Sequence, residues 1–109
     1  MAGPFVLSSN NISTQASNTS PGAYILSRDG INVNYVGRSD NDLAGRLRSW
    51  VDQGYSHFWF EYASSSLQAF NLECNWYHTY RNLDNTVHPA RPANTSWQCP
   101  RCNIFQSTL

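Results

Sequence analysis

One segment constrains this chain more than any other. Residues 22–37, GAYILSRDGINVNYVG, set two largely apolar runs around an Asp-Gly pair. That pattern predicts a β-hairpin, with strands over Gly22–Arg28 and Ile31–Gly37 and Asp29-Gly30 as a two-residue loop. A type I′ turn needs positive φ at both central residues, which Asp-Gly tolerates. Counted outward from that turn, Leu26 opposes Val33 and Tyr24 opposes Tyr35. Opposed residues project to the same side of a sheet, so the two tyrosines share a face. On register alone, an aromatic pair that simply stabilises the sheet is a sufficient explanation.

The 109 residues suffice for one small domain with a modest core. Residues 1–21 are rich in Ser, Asn, Thr and Gln and close on Ser-Pro-Gly, so they read as a flexible arm. Beyond the hairpin, DLAGRLRSWVD (Asp42–Asp52) spaces Leu43, Leu47, Trp50 and Val51 for a helix, with Asp40 or Asn41 as N-cap and Gln53-Gly54 as its end. The aromatic run Tyr55–Tyr62 suits a third strand. Ser65 and Gln68 have the spacing of a capping box and start a second helix that runs to about Tyr80. One stripe of that helix carries Ala69, Glu73, Trp76 and Tyr80. A carboxylate within an apolar stripe is costly unless it is paired, reaches solvent, holds a metal or does acid-base work. Residues 83–109 contain three prolines and almost no periodicity, which predicts an irregular extension that something must tie down.

Seven arginines balance seven acids, and there is no lysine. Zero net charge disfavours a broad non-specific nucleic-acid binder but leaves room for a local patch at Arg38, Arg46 and Arg48. No apolar run is long enough to cross a membrane, and the start lacks the regions of a signal peptide, so the expectation is a cytoplasmic protein. Three cysteines, an odd number, argue in a reducing compartment for metal binding, thiol chemistry or packing rather than a disulfide framework.

Four features then occur in a specific order. They are GAY (Gly22–Tyr24), YVG (Tyr35–Gly37), an arginine on the following helix (Arg46) and a glutamate on the next one (Glu73, in FNLEC). In this the segment from Gly22 to Tyr80 resembles the GIY-YIG nuclease domain. The resemblance implies an α+β fold, a small mixed three-stranded sheet flanked by helices, with the nuclease domain over residues 22–82. It also implies a metal-dependent endonuclease hydrolysing phosphodiester bonds in DNA. Glu73 would hold one Mg²⁺ or Mn²⁺, Arg46 would contact the scissile phosphate, and Tyr24 and Tyr35 would sit at the attacking water. Gly37 would let the backbone pass close to the phosphate. A tyrosine, with an ordinary pKa of about 10, needs a nearby cation to act as a base, and Arg38 is placed to give that help. Arg48 is the competitor to Arg46, and Arg48 and His88 are further candidate DNA contacts. Trp50 falls where family members often carry Tyr or His, and it cannot transfer a proton.

Cys74 and His78 lie four apart on the second helix, and Cys99-Pro100-Arg101-Cys102 supplies a knuckle downstream. Cys74, His78, Cys99 and Cys102 therefore form a candidate structural Zn²⁺ set, with His88 as an alternative ligand. Reduced thiols without metal are the plain alternative. Such a zinc would pin the tail, residues 83–109, to the helix. Adjacent positions point about 100° apart on a helix, so Glu73 would face the sheet while Cys74 and His78 face the tail. Competing with the nuclease are a nucleic-acid-binding module that cuts poorly and a zinc domain for protein contacts.

Overall fold

The structure, a computed structural model, describes residues 1–92 and 94–102. Seven elements follow one another: β1 (Ala2–Val6), α1 (Ser9–Gln15), β2 (Gly22–Ser27), β3 (Tyr35–Ser39), α2 (Leu43–Arg48), β4 (His57–Tyr62) and α3 (Ser66–Thr79). The strands form one sheet in the order β1-β4-β2-β3, and all three pairings are antiparallel. The fold is thus α+β as expected. The sheet, however, has four strands rather than three and no parallel pair.

The additional strand comes from the expected flexible arm. Residues 1–21 are β1, paired along β4, and α1, capped by the Ser8 hydroxyl, which accepts from the Asn11 N–H at 3.1 Å. Leu7, Ile12 and Ala16 join the main core, with Ile12 wholly buried. So few apolar side chains in a polar stretch cannot hold structure alone. They do so here because α1 packs on α2 and β1 completes β4.

The central hairpin differs from the expected one in its turn. Tyr24 opposes Gly37 and Leu26 opposes Tyr35, two positions away from the anticipated register. A seven-residue loop, 28–34, replaces the two-residue turn. Its organiser is the Asp29 carboxylate, which accepts from the Ile31 and Asn32 N–H groups, the Asn32 side-chain amide and the Ser27 hydroxyl. Four donors make this local network preferable to a tight turn and hold the Asp29 carboxyl well below the usual carboxylate range. Side chains alternate with period two, so a shift of two keeps every residue on its expected face. Tyr24 and Tyr35 remain on one side as diagonal neighbours, their rings stacked at 6.5 Å.

The sheet is covered on both faces. Tyr24, Leu26, Phe58 and Phe60 pack against Leu7, Ile12, Leu43 and Leu47, so α1 and α2 lie on that side. On the other side α3 lies against β2 and β3. Asp42, one or two residues beyond the expected N-caps, caps α2 by accepting from the Gly45 N–H. Ser65 caps α3 as its sequence predicts, accepting from the Gln68 N–H, although the Gln68 side chain reaches back to Ser64. β3 is an edge strand, and its exposed backbone is satisfied from the tail. Asn85 accepts from the Val36 N–H at 3.0 Å and donates to the Val36 carbonyl at 2.8 Å.

Candidate functional site

A polar pocket of about 270 Å³ opens across the free edge of β3. It is lined from β2 by Tyr24, from β3 by Tyr35, Gly37 and Arg38, from α2 by Arg46, and from α3 by Glu73. Asp40, Trp50 and Ala90 complete it. All five residues expected to be catalytic, Tyr24, Tyr35, Arg38, Arg46 and Glu73, therefore border one space. A larger hollow of about 500 Å³ beside the hairpin loop has Arg81 as its one charged lining residue, so it lacks a comparable set of reactive groups.

Glu73 is 8% exposed, and its carboxylate accepts from Arg38 Nη1 at 2.7 Å. Burial raises its pKa to about 7, and the Arg38 guanidinium offsets part of that rise. Arg38 also donates from Nε to Asp40 at 2.9 Å, and its guanidinium lies 5.2 Å from the Phe70 ring centre. It thus bridges two carboxylates and rests on an aromatic ring.

This arrangement changes the expected part of Arg38. The cation whose charge favours ionised Tyr24 and Tyr35 is Arg46, and Arg38 is instead committed to the two acids. Burial raises the pKa of both tyrosines, and for Tyr24 it outweighs the hydrogen bond that the Trp50 indole N–H gives the phenol oxygen at 2.7 Å. Both phenols are neutral at neutral pH. Trp50 cannot move a proton, but it orients Tyr24 and packs against Tyr35 with ring centres 4.7 Å apart, tilted by 50°.

Arg46 is exposed, and among the described residues its guanidinium makes no hydrogen bond or ion pair. Arg48 lies outside the pocket and donates to the Ser13 hydroxyl on α1 at 3.1 Å. Gly37 has a structural reason beside the one expected. A Cβ there would come within 2.3 Å of the Tyr24 ring, so the missing side chain lets the opposed tyrosine lie across the strand. Sequence reasoning treated Asp40 only as a helix cap and passed over Ala90. Asp40 was findable, two residues after Arg38 and so on the same side of the chain. Ala90 had no signal, because only the docking of the tail puts it there.

The three cysteines and two of the three histidines gather behind α3. His78, His88, Cys99 and Cys102 bring one ligand atom each within 4.8 Å of one another. The two Nε2 atoms are 3.2 Å apart, and Cys102 Sγ is 3.3 Å from His88 Nε2. The four-ligand set thus contains His88 where Cys74 was expected. Cys74 is wholly buried against Phe70 and Cys99, where burial pushes its thiol pKa up, and it packs as a small apolar side chain. His88, expected as an alternative ligand or a DNA contact, is placed in the cluster. His88 Nδ1 lies 2.9 Å from the Pro89 carbonyl, and its Nε2 faces His78 Nε2 and Cys102 Sγ.

No protein-family model matches the sequence, and no curated protein matches it. Among solved structures, the chain is similar to the GIY-YIG N-terminal endonuclease domain of UvrC from Thermotoga maritima, a structure bound to its catalytic divalent cation, magnesium. The match has a TM-score of 0.55 at 24% identity and covers 66% of this chain and 88% of that one. The shared feature is the fold. A GIY-YIG-like topology therefore carries the pocket, and the His/Cys cluster lies on an extension consistent with metal binding. Among the described residues no helix is long and apolar enough to cross a membrane.

Proposed function

We propose that the protein is a metal-dependent endonuclease that hydrolyses phosphodiester bonds in DNA at the β3-edge pocket. The observation that carries this reading is the convergence of a buried carboxylate, two neutral phenols and an unpaired arginine from four separate elements. The fold likeness to a magnesium-bound nuclease domain supports it.

The donor set fits Mg²⁺ or Mn²⁺. Glu73 and Asp40 offer hard carboxylate oxygens, and no thiol or imidazole lines the pocket. Glu73 would hold the ion, with the Glu73 oxygen not bonded to Arg38 as the donor. When bound, such an ion polarises a phosphate and stabilises the leaving oxygen. The chain's own groups do the rest. Arg46 presents a planar guanidinium that matches two phosphate oxygens. Tyr24, held by Trp50, and Tyr35 orient the attacking water by hydrogen bonds, and each needs nearby positive charge before it can accept a proton. Arg38 opposes the rise that burial imposes on the Glu73 pKa, and a bound cation would favour the ionised carboxylate further.

The second cluster suits zinc. Tetrahedral Zn²⁺ with nitrogen ligands at about 2.0–2.1 Å separates them by about 3.3 Å, close to the observed 3.2 Å between His78 and His88. Four protein ligands would leave no open position, so a zinc held there would be structural. A non-cleaving DNA-binding or protein-interaction zinc domain is the second reading. Zero net charge and the commitment of Arg38 to two acids favour it.

The test is nicking of supercoiled plasmid with Mg²⁺ or Mn²⁺ present or omitted, beside Glu73→Ala. Metal-dependent nicking that falls by about 10²–10³-fold in the variant is expected. Equal silence of both proteins on plasmid, branched and single-stranded DNA would overturn the nuclease reading in favour of the second. Equal cutting by both would remove Glu73 from the mechanism.

A further inference from the structure

The His/Cys cluster and the β3-edge pocket are in physical contact by two routes. The first runs through Phe70, which is wholly buried. Phe70 packs with Cys74 and Cys99, with Trp97 and Cys102 against them, and its ring centre lies 6.3 Å from that of Trp97. The same ring supports the Arg38 guanidinium, whose Nη1 is bonded to Glu73. The second route runs through the chain after His88. His88 is in contact with the Pro89 carbonyl, Pro89 is buried, and Ala90 is part of the pocket lining. The helix between the two sites is shared, since α3 carries both Glu73 and His78.

We infer that the zinc centre at His78, His88, Cys99 and Cys102 is a positioning element of the nuclease pocket as well as a clamp on the tail. This rests on the nuclease reading and on zinc as the metal. With zinc bound, the knuckle holds Trp97 and the cysteines against Phe70, and Phe70 holds Arg38 at the height where it meets both Asp40 and Glu73. His88, fixed by the metal, sets residue 90 as the pocket's outer wall. Without zinc the tail keeps its attachment at Asn85, which is paired with Val36, and the Arg101 bonds to Thr79 and Asn75, but loses the metal's hold on His88 and the knuckle cysteines. The sheet and its core on the α1/α2 side do not involve the knuckle, so the fold outlasts the metal. Phe70, Pro89 and Ala90 are positioning residues and touch no reacting atom. The consequence is a hydrolase whose activity follows its zinc load.

The experiment uses the full chain, zinc-loaded and then stripped with a zinc-selective chelator while Mg²⁺ is kept constant. Three readouts are taken: far-ultraviolet circular dichroism, plasmid nicking, and the Arg38 Nε–H resonance in a ¹⁵N spectrum, assigned by its loss in Arg38→Lys. Expected on stripping are a retained β signal, an Arg38 resonance that moves to the position of free arginines, and nicking reduced at least tenfold, both restored by added zinc. Phe70→Leu supplies a second arm that keeps the metal. It should bind one zinc per chain, yet show the displaced Arg38 resonance and the same tenfold loss. An Arg38 resonance that stays in place in both arms overturns the inference, as does nicking within twofold of the loaded wild type. If the loaded protein cuts nothing, the nuclease reading fails by itself, and the Arg38 resonance still decides whether the two sites are coupled.

Discussion

Helix α3 faces two different chemical environments. Toward β3 it presents Glu73, a lone buried carboxylate beside Arg38, Asp40 and the unpaired Arg46. Toward the tail it presents His78, one of four nitrogen and sulfur ligands within 4.8 Å of each other. The first environment has hard oxygen donors, few of them, with room left for water and phosphate. The second has a closed set of softer donors. On the proposed function, a hard divalent ion would bind the first loosely and exchange, whereas zinc would bind the second and stay. The two environments are set by residues five positions apart on one helix. Cys74, next to Glu73, is not one of the four ligands and fills the core beside Cys99.

Substitutions can sharpen this contrast. The largest effect after Glu73→Ala is expected at Arg46. Arg46→Ala should lower nicking by about 10²–10³-fold, and Arg46→Lys should recover little of it, because an ammonium cannot form the bidentate fork. Arg48→Ala should leave the rate within a few fold, since Arg48 bonds to Ser13 outside the pocket. Comparable rates for the Arg46 and Arg48 variants would reverse their assignment.

At the tail-facing site, Cys99→Ser should reduce bound zinc from one per chain to almost none. Cys74→Ser should leave zinc stoichiometric and cost about 1–3 kcal/mol of stability, because it buries a hydroxyl without a good partner. Metal analysis alongside thermal melts separates the two, and loss of zinc in Cys74→Ser would restore Cys74 to the ligand set.

Gly37→Ala tests the pocket from the backbone. The added Cβ meets the Tyr24 ring at 2.3 Å, so the variant should lose about 1–3 kcal/mol and lower the melting temperature by several degrees. An unchanged melt would mean that the Tyr24 ring yields without cost.

The smallest expected effect is in pH. Glu73 is held at about 7 against an ordinary 4.5, chiefly by burial, with Asp40 adding to the rise and Arg38 and Arg46 opposing it. A raised carboxyl pKa adds stability fully below pH 4.5, and that contribution is lost as pH rises through about 7. Binding of a divalent cation has the opposite sign, since it needs the carboxylate. Mg²⁺ affinity in the zinc-loaded protein should therefore strengthen with rising pH up to about 7, by at most about tenfold per unit, and then level off. An affinity constant between pH 5 and 8 would place the ion elsewhere.

Much of this is legible in the sequence alone. Helix α3 and its Ser65 cap follow from local chemistry, as does β4 from its aromatic run. The shared face of Tyr24 and Tyr35 follows from strand alternation alone, which is why it held although the register moved by two. The four-part motif order led to Tyr24, Tyr35, Arg46 and Glu73, four of the nine residues that line the pocket. What the sequence could not determine depended on contacts between distant segments. Residues 1–21 form β1 and α1 because β4 and α2 offer partners, which no local composition records. Asp29 gathered four donors and enlarged the turn, a competition between local hydrogen bonds and a tight hairpin that Asp-Gly leaves open. The exchange of Cys74 for His88 in the ligand set needed the path of the tail. Helical spacing puts Cys74 within reach of His78, but Phe70 and Cys99 enclose its thiol as core. Periodicity and turn chemistry act over a few residues and can be read in order along the chain. Which side chain meets which across forty residues is decided by packing, and here packing assembled the pocket's outer wall and the metal cluster.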